Sequence, residues 1–150
     1  LNKASDKTSE CLVKMKNKNY VIRRDNNIVV IHVKGAWDAM ITESFSKAFK
    51  DTGRMISHAP WAHLVYFDEW ALSTPDAEPV INEMLVWAEA NNMTHTARVY
   101  KDNALKTYQL DRMIDLQKQK GSTRHFETAS DGFDWLAEHG FNAETARVSE

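Results

Sequence analysis

The sequence predicts an α/β domain: an N-terminal β-hairpin followed by four β-α turns, with a mainly parallel five-stranded sheet and helices mostly on one face. Three observations carry this prediction. Short β-branched and aromatic runs alternate with longer stretches whose apolar residues recur every three or four positions. Parallel strands joined by right-handed crossover helices produce that order. The first two runs are separated only by Asp25-Asn26-Asn27, a tight-turn signature. Three strands also alternate apolar and polar residues, whereas parallel strands covered on both faces read as continuous apolar runs.

Taken in order, Leu1 to Lys18 is rich in Lys, Asn and Ser and holds only a Cys11-Leu12-Val13 apolar patch, so it is expected to be a flexible lead or a packed arm. Met15 would serve as a start, so residues 1–14 are expected to be upstream or cloning-derived sequence. Tyr20 to Arg24 and Ile28 to Lys34 form the hairpin. Asp38 is expected to cap an amphipathic helix to Lys50, carrying Ile41, Phe45, Ala48 and Phe49, with Gly53 just past its end. Leu64 to Phe67 is the central strand, and Asp68, Glu69 and Trp70 follow where it reaches water.

Thr74, Pro75 and Asp76 then supply an N-cap, a first helical residue and a negative charge at the positive helix end. The stripe Ala77, Val80, Ile81, Met84, Leu85 and Ala88 runs to Asn91-Asn92. Pro79 conflicts with a start at Thr74, so Asp76 is the alternative beginning. His95 to Tyr100 is the next strand, and Asp102 is expected to cap a third helix running to about Gln119 and ended by Gly121. Thr123 to Glu127 is the last strand, and Thr128 or Ser130 caps a final helix that reaches Gly140. Residues 19–142 are thus read as one domain and 143–150 as a tail.

At 150 residues, 43% hydrophobic and 27% charged, the chain can close a core without staples. A net charge of −2 supplies no field to draw nucleic acid or anionic lipid. One cysteine cannot form an internal disulfide, and no apolar run approaches the roughly 18 residues of a membrane helix. The expectation is a cytoplasmic protein without nucleic-acid binding or membrane insertion. The glycine fingerprint of dinucleotide folds, the phosphate loop and the nucleophile elbow are absent from the sequence. The spacing of His58 and His63 suits no familiar metal motif. No cofactor, metal or catalytic residue is therefore expected.

Strand alternation predicts one well-covered sheet face and one partly open face furnished by His32, Tyr66, Arg98, Tyr100 and His125. A half-polar face of this kind suits a homodimer. Open α/β sheets hold ligands at the carboxyl ends of their strands, an edge that gathers Trp37, Asp68, Glu69, Trp70, Ser73, Thr74 and Tyr100. Trp37 and Trp70 read either as contacts for a partner or planar ligand, or as lids on the core. Asp68 and Glu69 are adjacent strand residues and point to opposite faces, so they do not form an acid-base pair.

The element order, Asp68 after the central strand, Ser73 and Thr74 before the next helix, and the closing Phe126-Glu127-Thr128-Ala129-Ser130-Asp131-Gly132-Phe133-Asp134-Trp135-Leu136 resemble the STAS and sporulation anti-sigma-antagonist-like (SpoIIAA-like) superfamily across about residues 20 to 140. The resemblance implies a non-catalytic regulatory domain that binds a protein partner. It also implies that Ser73 or Thr74 stands at the position phosphorylated in such regulators, although Leu72 precedes Ser73 and Pro75-Asp76 follow Thr74 in this chain. The same broad fold resembles lipid-binding domains of the Sec14 kind, which makes a carrier of a small apolar or lipid-like ligand the alternative. An enclosed pocket of a few hundred cubic ångströms would favour the carrier and an exposed apolar patch the interaction domain.

Overall fold

The computed structural model describes residues 14–113 and 121–144. In chain order its elements are β1 (Lys14–Lys16), β2 (Tyr20–Asp25), β3 (Ile28–Val33), β4 (Gly35–Trp37), α1 (Ala39–Arg54), β5 (Trp61–Tyr66) and β6 (Trp70–Ser73). A single 3-10 turn, Pro75–Ala77, leads into α2 (Glu78–Ala90), followed by β7 (Met93–Val99), α3 (Ala104–Met113), β8 (Ser122–Phe126) and α4 (Ala129–Glu138).

The main sheet has six strands in the order β1-β2-β3-β5-β7-β8. The first two pairings are antiparallel and the rest parallel. The α/β class and the opening hairpin are as expected. The added strand is Lys14–Lys16, which lies in the expected lead but pairs with Val21, Ile22 and Arg23 of β2. A second, two-stranded sheet pairs β4 with β6. The sequence pattern predicts a polar rim and connections for these residues, and the pairing of β4 with β6 replaces them.

Helices α1, α2 and α3 pack one face of the main sheet, around Ile31, Phe49, Trp61, Val65, Met84 and Leu110. Among the described residues helix α4 alone packs the other, where Phe133 and Leu136 meet Val30, Leu64 and Val99. Register corrects the expected polar face. His32 pairs with Tyr66 and Tyr66 with Val99, which sets His32 and Tyr66 on the α4 side, their rings stacked at 4.0 Å. Val65 instead pairs with Arg98, and Arg98 with His125, which sets Arg98 on the three-helix side. One residue of strand slip exchanges the faces, and sequence alternation alone cannot fix the offset between strands.

Local chemistry explains most boundaries. The Asp38 carboxylate accepts the Ile41 amide at 2.9 Å and caps α1. That helix runs past Lys50 and takes in Gly53, which is a point of close approach and not a stop. A Cβ there would come within 3.0 Å of the Trp61 ring. Pro79 lies in the first turn of α2, where a missing amide hydrogen is tolerated. Asn103, not Asp102, caps α3, its side chain accepting the Lys106 amide at 3.0 Å. The expected continuation from Ile114 to Gln119 lies outside the described residues. Thr128 caps α4 through the Asp131 amide at 3.2 Å.

Candidate functional site

The strands β3 and β5 run toward one edge of the sheet, and β4 and β6 close over that edge. Gly35 donates its amide to the Glu69 carbonyl at 2.9 Å, and the Thr74 amide reaches the Trp37 carbonyl at 2.8 Å. The predicted site residues share this neighbourhood in two layers. Trp37, Trp70 and Tyr100 lie beneath it, buried, whereas Asp68, Glu69 and Thr74 are exposed and Ser73 is half-buried.

The lower layer is held by aromatic edges and hydrogen bonds. The Trp37 indole N–H donates to the Lys34 carbonyl at 2.9 Å, and its ring meets Phe45 edge-on at 5.0 Å. The Trp70 ring meets Phe67 at 5.4 Å, and its N–H donates to Ser73 Oγ at 3.2 Å. Tyr100 exchanges a hydrogen bond with Thr107 at 2.6 Å and stacks on His125 at 3.8 Å. These positions satisfy the polar atom of each ring while its carbon surface leaves water.

The upper layer is pinned from α3. Gln109 accepts the Ser73 amide at 2.8 Å and donates to the Ser73 carbonyl at 2.6 Å. Lys106 donates to the carbonyls of Phe67 and Asp68 at 2.8 and 2.9 Å, and the Asp68 carboxylate accepts the Lys101 amide at 2.9 Å. Asp68 is therefore engaged as a structural acceptor. The Thr74 hydroxyl bonds to the Asp76 carboxylate and the Trp37 carbonyl, and does not cap the helix after it. Between these pinned residues, Leu72 is held at φ 74°, a left-handed conformation that a branched side chain occupies at a cost of about 1–2 kcal/mol.

Behind β4 and β6, between the sheet and the three helices, lies a cavity of about 60 Å³. Trp37, Trp70, Phe45 and Met84 are among its apolar lining, and His63, Thr96 and Arg98 bring polar groups to it from the sheet. Arg98 Nη1 donates to Asp111 at 3.0 Å, where the carboxylate reaches solvent, yet the arginine side chain is only 5% exposed. Among the described residues its Nε and Nη2 have no hydrogen-bond partner, nor does either ring nitrogen of the buried His63. Burial, reinforced by the neighbouring Arg98 charge, holds the His63 pKa down at about 3, so the ring is neutral near pH 7.

Sequence reasoning did not join His63 to Arg98. It considered His63 only as a metal ligand and placed Arg98 on the open face. The available signal was a histidine inside the apolar run Trp61–Tyr66, since a polar residue within a buried strand is the informative exception. Among the described residues no cluster of His, Cys, Asp and Glu could hold a metal, and no helix is long and apolar enough to cross a membrane.

No protein-family model and no curated protein sequence matches the chain. Solved structures do. An uncharacterized protein of the DUF3478 family with a SpoIIAA-like fold, from Shewanella loihica PV-4, superposes with a TM-score of 0.62 at 14% identity, covering 81% of this chain and 98% of that one. A proposed anti-sigma factor antagonist from Thermotoga maritima superposes with a TM-score of 0.52 at 12% identity, covering 77% and 92%. At such identities the likeness is one of backbone architecture, and it agrees with the hairpin, the parallel crossovers and the one-sided helices described above. The chain has the STAS/SpoIIAA-like fold.

Proposed function

We propose that the chain is a non-catalytic regulatory domain of STAS-like type that docks a protein partner on the edge around Asp68, Glu69 and Thr74, with Trp37, Trp70 and Tyr100 setting that edge from beneath. The observation that carries this reading is the strained Leu72, at φ 74°, half-buried between the exposed Ala71 and the half-buried Ser73 in a segment pinned on both sides. Backbone strain of this kind persists only where surrounding contacts over-determine it, and it concentrates at binding and switch segments. Leu105 and Tyr108, exposed on the same helix that supplies Lys106 and Gln109 to the edge, add apolar contact area of the sort that anchors a partner. On this reading Thr74, the more exposed residue, is modified before Ser73.

A photo-crosslinking residue at Ala71, in the native host, is expected to capture a discrete partner. The same residue at Val86, exposed on α2, is expected to capture none. Equal labelling from both positions, or none from Ala71, would remove the edge from consideration. The cavity, at about 60 Å³ well below the few hundred cubic ångströms a lipid carrier needs, supports a second reading only for a small apolar ligand of a few heavy atoms.

A further inference from the structure

We infer that the cavity behind β4 and β6 binds a small apolar carboxylic acid, with the carboxylate held by the free edge of the Arg98 guanidinium. This rests on the second reading above and names its ligand class. The Asp111 contact uses only Nη1. The two atoms left without partners, Nε and Nη2, carry parallel N–H bonds on one edge of the guanidinium, the pair that meets both oxygens of a carboxylate. A buried cation with two of its three nitrogens unmet is a standing cost unless something fills them. The neutral His63 ring faces the same cavity with an N–H that also lacks a partner.

The remaining walls choose among anions. Trp37, Phe45 and Met84 offer carbon surface, which rewards a hydrocarbon and leaves the outer oxygens of a phosphate without donors. An amine would meet the Arg98 charge, and an alcohol would satisfy a single donor. A volume of about 60 Å³ takes roughly four to six water-sized groups, which points to short acids such as propanoate and butanoate.

Calorimetric titration of the full chain with butanoate, butanol and inorganic phosphate tests the assignment. Butanoate is expected to bind at least about tenfold more tightly than butanol, with no saturable phosphate binding, and Arg98→Gln is expected to weaken butanoate tenfold to a hundredfold. Equal binding of butanol would overturn the acid assignment while leaving the apolar-ligand reading intact. Binding of neither would overturn both. Phosphate binding as tightly as butanoate, or undiminished butanoate binding by a folded Arg98→Gln chain, would overturn the assignment as well. If that variant does not fold, magnetization transfer from butanoate to the Met84 and Leu110 methyls in the unaltered chain decides. Its presence is expected, and transfer only to surface residues would overturn the site.

Discussion

Trp70→Ala is expected to lower stability by about 3–5 kcal/mol, the range for removing a buried aromatic side chain. Trp70 is 3% exposed, packs edge-on against Phe67 and lines the cavity, so truncation enlarges an existing void that the short strand above it cannot collapse to fill. For a domain of this size each kcal/mol moves the melting temperature by about 2–4 °C, which places the expected drop at about 6–20 °C. Thermal unfolding by circular dichroism checks it. A change within about 2 °C would show that the indole is a surface contact whose burial contributes nothing. Trp70→Phe should recover most of the loss, because it keeps the ring against Phe67 and gives up only the hydrogen bond to Ser73 Oγ.

The same residue shows what the sequence could and could not express. Its alternation identified an aromatic side chain at the carboxyl edge, but whether that side chain faces outward depends on β6 pairing with β4. That pairing joins Trp37 and Ser73 across a long sequence separation, with a register shift. Local pattern carries no signal for such a contact. The hairpin, the alternation of strands and helices and the Asp38 and Thr128 caps were legible because each is a short-range physical preference. The extension of β5 back to Trp61 was missed for a related reason. Trp61 follows Pro60 and its indole bonds to the Asn91 carbonyl at the far end of α2, so a tertiary contact sets that start.

Site residues divide along the same line. The exposed edge of Asp68, Glu69 and Thr74 was readable because polar residues directly after a buried strand must meet water or a partner. The pairing of His63 and Arg98 was not, since it depends on β5 and β7 lying side by side with His63 opposite Thr96 and Val65 opposite Arg98. Both side chains then reach the three-helix face. Two polar residues separated in sequence become one buried group only through inter-strand register, the quantity that sequence periodicity leaves free.

Acidification should expose that buried group as the weak point of the fold. His63 has a folded-state pKa of about 3, against 6.5 in the ordinary case. Between these values the unfolded chain binds a proton that the folded chain excludes, so stability is full above about pH 6.5 and falls as the pH is lowered toward about 3. At about 1.4 kcal/mol per unit the loss is roughly 3–5 kcal/mol. His32 and His95 are also shifted downward, chiefly by burial, so they steepen the same limb, and the wild-type curve alone does not isolate His63. His63→Leu does. Leucine keeps an apolar contact with Phe49, whose ring His63 meets edge-on at 5.4 Å, and removes two buried nitrogens that have no partner. Such an exchange is nearly neutral or stabilising where the histidine is uncharged. Urea unfolding at pH 7.5 should therefore place the two chains within about 1 kcal/mol of each other. At pH 4 the leucine chain should be the more stable by several kcal/mol. A gap that stays constant between the two pH values would show that His63 does not take up the proton on unfolding, and that the acid limb belongs to His32 and His95.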